Sequence, residues 1–163
     1  MKKIFNLLIL VFTLSFVYGC NGYKPIFTSN LNYVINEYEI NGDKKLGNKI
    51  YSKLYKLSNQ SKTKSDIQNL NFIIEVKKEN NPTVKNSAGK ILEYKVVLNT
   101  KIILNDSTNN YEVLNKKFTF SSSYKAQDQY FQTKRLENDT INNLLDITFD
   151  DIIIKMSENI LKK

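Results

Sequence analysis

The 163-residue chain contains no histidine and only one cysteine, Cys20. Histidine is the commonest general base and a frequent metal ligand, so both roles lack their usual residue. No phosphate-cradling motif occurs among the five glycines. Asp150 and Asp151 are adjacent on a predicted helix and diverge by about 100°, so they do not pair as catalytic carboxylates. We expect no enzyme, no metal and no cofactor. A serine–lysine catalytic dyad would require neither histidine nor cysteine, but no motif in the sequence indicates one.

The chain begins with two lysines and a mostly apolar run from Ile4 to Tyr18. This pattern is typical of a secretory signal peptide, because the run is shorter than the ~20 residues that span a bilayer. Cys20 directly follows Gly19, and Val17 lies three positions before it. That arrangement resembles the lipobox of bacterial lipoproteins, in which the cysteine is acylated and becomes the first residue. We predict lipidation at Cys20, with an ordinary signal peptide and an incidental cysteine as the alternative.

The formal net charge is +8, and removal of Lys2 and Lys3 with the signal peptide lowers it by two. Basic chains often bind nucleic acid, but an exported protein has little opportunity to meet it, so we expect no nucleic-acid partner. The excess charge either matches anionic envelope material or reflects the richness in lysine, and both interpretations stay open. We assign 1–19 to the signal peptide, 20–30 to a lipidated tether and 31–163 to one domain with a single core.

Alternation of apolar and polar residues predicts a first strand from about Leu31, with Val34, Tyr38 and Ile40 on its apolar side. A helix follows, because apolar residues then recur at spacings of three and four: Leu46, Ile50, Leu54 and Leu57. Another face of this helix carries a row of lysines: Lys45, Lys49 and Lys53. We interpret that row as a solvated face, with anion binding as the alternative.

Three further strands are predicted, and polar loops separate them. The second strand has an apolar face of Leu70, Phe72, Ile74 and Val76, and a loop is predicted over 78–89. The third strand, Ile91 to Leu104, places Tyr94, Val96, Leu98, Ile102 and Leu104 on one face and Glu93, Lys95, Asn99 and Lys101 on the other. The fourth, from about Tyr111 to Tyr124, has an apolar face of Leu114, Phe118, Phe120 and Tyr124. These strands favour an antiparallel meander with one face on a core.

From about Thr133 the period is helical again, and this helix either continues to the C-terminus or breaks into two segments. Its apolar stripe contains Ile141, Leu145, Thr148, Ile152, Met156 and Ile160. The apolar face is wide, so part of it belongs either to the core or to a partner surface. A helix joins the first two strands, which can therefore lie parallel. The predicted fold class is α+β: a two-layer sandwich whose four-stranded, mostly antiparallel sheet is covered on one face by two helices.

Several stretches share a pattern with one family. They are the opening Cys20-Asn21-Gly22-Tyr23-Lys24-Pro25-Ile26-Phe27, the strand that starts at Glu93-Tyr94, the strand end Ser122-Ser123-Tyr124, and then Gln129-Tyr130-Phe131 and Glu137-x-Asp139. In these stretches and in the order of its elements, the chain resembles the LPS-assembly lipoprotein LptE in its alphaproteobacterial form. The resemblance covers most of Cys20 to Lys163, and its motifs are diffuse.

The resemblance implies a lipid-anchored protein on the periplasmic side of the outer membrane. Such a protein is seated as a plug in the LptD β-barrel translocon, supports barrel assembly and helps to deliver lipopolysaccharide to the cell surface, without catalysis. A lipoprotein that scaffolds a different envelope complex, without lipopolysaccharide binding, is the alternative.

A protein that handles lipopolysaccharide needs cations near one another, because the lipid presents phosphates. Two lysines lie in the loop that enters the third strand, and two cations lie at the start of the last helix. In an antiparallel pair these positions fall at the same end of the sheet. We therefore predict a lipopolysaccharide site formed by Lys85, Lys90, Lys134 and Arg135. Independent solvated charges are the alternative.

Overall fold

The structure is a computed structural model that describes residues 31–58 and 67–160, so Cys20 and the predicted signal peptide lie outside the described residues. The elements are β1 (Tyr33–Gly42), α1 (Lys44–Ser58), β2 (Gln68–Lys85), β3 (Ile91–Asp106), β4 (Glu112–Lys125) and α2 (Tyr130–Ile160). They occur in the predicted order. The four strands form one sheet in the order β1-β2-β3-β4.

The sheet is mixed. β1 and β2 are parallel and are connected through α1, whereas β2–β3 and β3–β4 are antiparallel. α1 packs mainly on β1 and β2, and α2 packs mainly on β4 and β3. The α+β two-layer sandwich is therefore confirmed, with strand directions that are mixed rather than mostly antiparallel.

The core lies between the sheet and the helices, because every second strand residue points toward the helices. Its strand residues include Leu70, Phe72, Ile74, Val76, Val96, Leu98, Ile102, Leu104, Leu114, Phe118 and Tyr124. Its helical residues include Leu46, Ile50, Leu54, Ile141, Leu145, Ile152 and Met156. Each large apolar side chain buried in this way stabilises the fold by about 1.5–3 kcal/mol.

The apolar side of β1 differs from the prediction at its start. Tyr33 is fully buried, whereas Val34 is 45% exposed. The register with β2 shifts just after Ile35. A bulge of this kind adds one residue and moves the following side chains to the other face, so the residues that face the helices are Tyr33 and Ile35 before it and Tyr38 and Ile40 after it. The prediction for Val34 is wrong because strict alternation does not continue through a bulge.

The loop predicted over 78–89 is mostly strand. β2 continues to Lys85 and pairs with β3, with register shifts on both sides of Val84. The ladder between β1 and β2 ends at Gly42 and Val76, so β2 extends well past its parallel neighbour. Turn-forming residues in this segment led to the prediction of a loop. Pairing with β3 instead satisfies the backbone hydrogen-bonding groups up to Lys85 and keeps the chain extended.

The step from β1 into α1 needs a glycine. Gly42 has a φ of +76°, and a Cβ there would overlap the carbonyl oxygen of Val76. Asp43 then caps the helix, because its Oδ1 accepts the backbone N–H of Leu46 at 3.1 Å. These contacts set the angle at which α1 crosses the sheet.

α2 is one continuous helix of 31 residues, about 45 Å long. It begins at Tyr130, a turn earlier than Thr133, whose hydroxyl accepts the backbone N–H of Gln127 at 2.8 Å. Most of its wide apolar face belongs to the core, since Leu144 and Ile153 are buried beside the predicted stripe. The helix start leaves its first two aromatic side chains exposed.

Candidate functional site

The predicted cations lie at one end of the sheet, where the β2–β3 turn meets the start of α2. Lys85 is the last residue of β2 and is paired with Ile91 in the ladder. Lys90 directly precedes β3, and Lys134 and Arg135 lie in the second turn of α2. The backbone N–H of Ala126 donates to the carbonyl of Leu92 at 2.9 Å, which holds the start of β3 and the chain entering α2 together. Lys90 and Lys134 line one groove together.

This end groove has a volume of about 450 Å³. Its lining includes Asn80, Lys90, Tyr94, Tyr124, Asp128, Tyr130, Lys134 and Glu137. The remaining two predicted cations, Lys85 and Arg135, do not line it. The structure therefore brings two of the four predicted cations together.

Three of the predicted cations have carboxylate partners, and two of these ion pairs are exposed. Lys90 Nζ lies 3.0 Å from Asp128 Oδ1, and both side chains are largely exposed. Arg135 Nε lies 3.9 Å from Asp139 Oδ2, one helical turn away. Exposed pairs of this kind contribute about 0–1 kcal/mol, so an incoming anion can replace the carboxylate at little cost.

Glu137 also lines the end groove, and the predicted set of site residues did not include it. The side chain of Glu137 is only 8% exposed, and its carboxylate lies between Lys134 Nζ at 2.7 Å and Lys78 Nζ at 3.4 Å. Burial acts to raise the pKa of Glu137, but the hydrogen bond from Lys134 and the charges of both lysines outweigh it and hold that pKa below its ordinary value. The hydrogen bond to Glu137 correspondingly raises the pKa of Lys134. Lys134 is therefore a structural partner of α2 and less available to a ligand than Lys90.

Aromatic and amide groups form the rest of the end groove. The rings of Tyr94 and Tyr124 stack with centroids 5.5 Å apart. Asn80 Nδ2 donates to the Tyr124 hydroxyl at 2.8 Å, while Asn80 Oδ1 is buried with no hydrogen-bond partner within the described part of the chain. Burial raises the pKa of Tyr124. The groove thus offers stacking surface and hydrogen-bonding groups to a polar ligand.

The lysine row of α1 is only partly solvated. Lys49 Nζ donates to Asn142 Oδ1 at 2.8 Å, and Lys53 forms an ion pair with Asp146, so both contact α2. Lys45 is exposed. The preferred interpretation of the row as a solvated face therefore holds for Lys45 and Lys49, which are exposed, while Lys53 is partly covered where it meets α2.

Two general features of the described ranges, 31–58 and 67–160, bear on function. Neither helix there is both long and apolar enough to cross a membrane. The same ranges contain no group of three acidic, histidine or cysteine side chains placed to hold a metal ion.

No protein-family profile and no curated protein matches this chain in sequence. Solved structures do share its fold. A protein from Caulobacter crescentus, assigned provisionally to the lipoproteins, has a TM-score of 0.55 at 12% identity, over 81% of this chain and 90% of its own. Uncharacterized lipoprotein B from Nitrosomonas europaea has a TM-score of 0.54 at 11% identity, over 81% and 86%. A minor lipoprotein from Acinetobacter baumannii has a TM-score of 0.50 at 14% identity, over 79% and 92%. At such identities the likeness concerns the fold, which is one that bacterial lipoproteins adopt.

Proposed function

We propose that this chain is an outer-membrane lipoprotein, anchored through acyl chains on Cys20, that plugs and supports assembly of an LptD-type β-barrel translocon. In that complex it assists lipopolysaccharide transport to the cell surface and catalyses no reaction. The observation that carries the proposal is the fold: three lipoprotein structures align with about four fifths of this chain and with most of their own length. The lipobox-like Gly19-Cys20 supports an acyl anchor before that domain.

The end groove supports the lipopolysaccharide part of the proposal. Lys90 lines this groove, and Arg135 follows the groove residue Lys134 on α2 without lining it. Each is paired with an exposed carboxylate, so phosphate groups can exchange for Asp128 and Asp139. The stacked rings of Tyr94 and Tyr124 line the same groove and suit the sugar part of the same lipid.

A second candidate is a lipoprotein that scaffolds another envelope complex and does not bind lipopolysaccharide. It is favoured by the ion pairs themselves, because Lys90, Lys134 and Arg135 are each matched by a carboxylate within the chain. Their net charge is therefore largely compensated before any ligand binds.

Affinity purification of the tagged protein from its own outer membrane separates the two candidates. We expect a large, heat-modifiable β-barrel at one-to-one stoichiometry. The control is Cys20→Ala, which should give an unprocessed or mislocalised protein and no barrel, because stable anchoring requires acyl chains. Recovery of an envelope complex without a barrel would support the scaffold, and mature outer-membrane protein in the Cys20→Ala variant would contradict the lipid anchor.

A further inference from the structure

Helix α1 is basic along its whole length. Its 15 residues carry Lys44, Lys45, Lys49, Lys53 and Lys56 and no acidic residue. The first two lie in the first turn, where the helix dipole disfavours positive charge. Stability of the helix therefore does not explain this distribution. Lysines on the polar face of an amphipathic helix are typical of contact with anionic lipid surfaces.

The lysines of α1 divide into two groups. Lys49 and Lys53 turn toward α2, where they contact Asn142 and Asp146. The other three, Lys44, Lys45 and Lys56, are exposed, and no carboxylate in the described ranges forms an ion pair with them. Three uncompensated charges thus point outward from one helix.

A tyrosine ladder borders this basic face. Tyr38 on β1 stacks on Tyr51 of α1 with centroids 3.9 Å apart, and Tyr51 stacks on Tyr55 at 5.9 Å. Tyr38 and Tyr55 are about half exposed, at 52% and 46%. Tyrosine combines an apolar ring with a polar tip and is therefore enriched where a membrane meets water.

A groove runs along the other side of the same face, between α1 and α2, with a volume of about 490 Å³. Ile50 and Leu145 contribute apolar surface to it, while Lys49, Lys53 and Lys56 surround it with ammonium groups. Apolar surface beside cations matches the junction of a lipid between its phosphate and its acyl chains.

The tether enters the domain beside α1. Leu31 is buried, and the Tyr33 hydroxyl donates to the carbonyl of Leu54 in the C-terminal half of α1 at 2.8 Å. The stretch from Cys20 to Leu31 spans at most ~40 Å when fully extended. Acyl chains on Cys20 therefore keep this end of α1 close to the leaflet that holds them.

We propose that the outward face of α1, formed by Lys44, Lys45, Lys56 and Tyr55, docks on anionic glycerophospholipid head groups of that leaflet. The inference rests on the lipidation of Cys20 in the proposed function and adds a second contact with the same membrane. A basic surface and an acyl anchor act together, because each lysine near an anionic surface strengthens binding about fivefold. The outcome is a fixed orientation of the anchored domain above the bilayer before the domain is seated in the barrel.

The test uses the full mature lipoprotein, reconstituted in vesicles and labelled at one introduced cysteine. Ser52→Cys places a fluorescent label on the outward face of α1, and Ser121→Cys places it on β4, on the sheet face away from the helices. Vesicles contain either phosphatidylcholine alone or phosphatidylcholine with phosphatidylglycerol. A water-soluble quencher then measures the exposure of each label.

We expect the Ser52 label to become protected only in vesicles with phosphatidylglycerol, and the Ser121 label to stay exposed in both. Replacing Lys44, Lys45 and Lys56 with glutamine should remove the protection, as should about 1 M salt. The matched control replaces three exposed sheet lysines, Lys95, Lys117 and Lys125, and should keep it.

The outcomes separate the docking from the anchor. Loss of flotation with neutral vesicles would overturn the lipidation, and the docking with it. Full flotation with an unprotected Ser52 label in anionic vesicles would overturn the docking alone. Protection that appears only when lipopolysaccharide replaces phosphatidylglycerol would overturn the assignment to phospholipid.

Discussion

Gly47 on α1 lies directly against the side chain of Ile40 on β1, so closely that a Cβ at position 47 would overlap the Ile40 γ2 methyl group. This contact sets the distance between the helix layer and the edge of the sheet. Isoleucine is stiff at χ1, so the methyl group cannot rotate away without cost.

The Gly47→Ala variant should lower the free energy of unfolding by up to about 2 kcal/mol. Overpacking costs roughly 1–3 kcal/mol, and the better helix propensity of alanine returns about 1 kcal/mol at most. Urea unfolding measures the change. Ser52→Ala, on the exposed side of the same helix, is the control and should be neutral or slightly stabilising. A stabilised Gly47→Ala protein would mean that α1 lies farther from β1.

Thr100 interrupts the apolar row of β3, where it is fully buried and its hydroxyl has no hydrogen-bond partner among the described residues. Thr100→Val keeps the shape and removes the unpaired hydroxyl, so it should raise the free energy of unfolding by about 1 kcal/mol. Thr148→Val is the matched control, because Thr148 is equally buried but donates to the carbonyl of Leu144 at 2.7 Å. Equal effects at the two positions in thermal unfolding would contradict the assigned environments.

Glu137 should make stability depend on pH. Its pKa is lower in the folded protein than its ordinary value, so its contribution is fully present above the unfolded pKa and is lost as pH falls through the folded one. At pH 7, Glu137→Gln should cost about 1–3 kcal/mol, a range set by hydrogen bonds to charged groups. The cost should shrink as the pH falls below the ordinary pKa of a glutamate. A Lys134→Gln background should reduce this pH dependence, and a cost that stays constant with pH would contradict the ionised pair.

The predicted lipopolysaccharide site can be tested through the two of its cations that pair with exposed carboxylates. Replacing Lys90 and Arg135 with glutamine should preserve the fold, since both side chains are exposed. Binding of purified lipopolysaccharide at low salt should weaken about fivefold per lost charge, and the loss should shrink at high salt. Replacing Lys95 and Lys125 on the sheet is the control. Unchanged binding would remove the end groove as the site.

Much of this fold follows from periodicity in the sequence. The row Val96, Leu98, Ile102 and Leu104 is buried as predicted, because a regular central strand repeats every two residues. Local sequence patterns do not predict structure that depends on pairing with a neighbouring strand. The bulge after Ile35 and the continuation of β2 past Pro82 depend on pairing with neighbouring strands.

The candidate site was predicted in part, for a similar reason. The common end of the sheet follows from antiparallel pairing, which places Lys90 and Lys134 near one another. The buried position of Glu137 depends on Lys78, which lies 59 residues earlier in the chain. No spacing rule within one helix identifies that contact. Glu137 entered the sequence analysis only through a family resemblance.

β2 extends past the end of its ladder with β1, and from Lys77 to Lys85 this edge is not paired with any other described strand. Unpaired edges are templates for the strands of other molecules, and therefore for aggregation. This edge carries lysines at Lys77, Lys78 and Lys85, and Pro82 removes one backbone donor. The register shifts beside Val84 also bend it. The protein is thereby protected against self-association along the longest of its described strands.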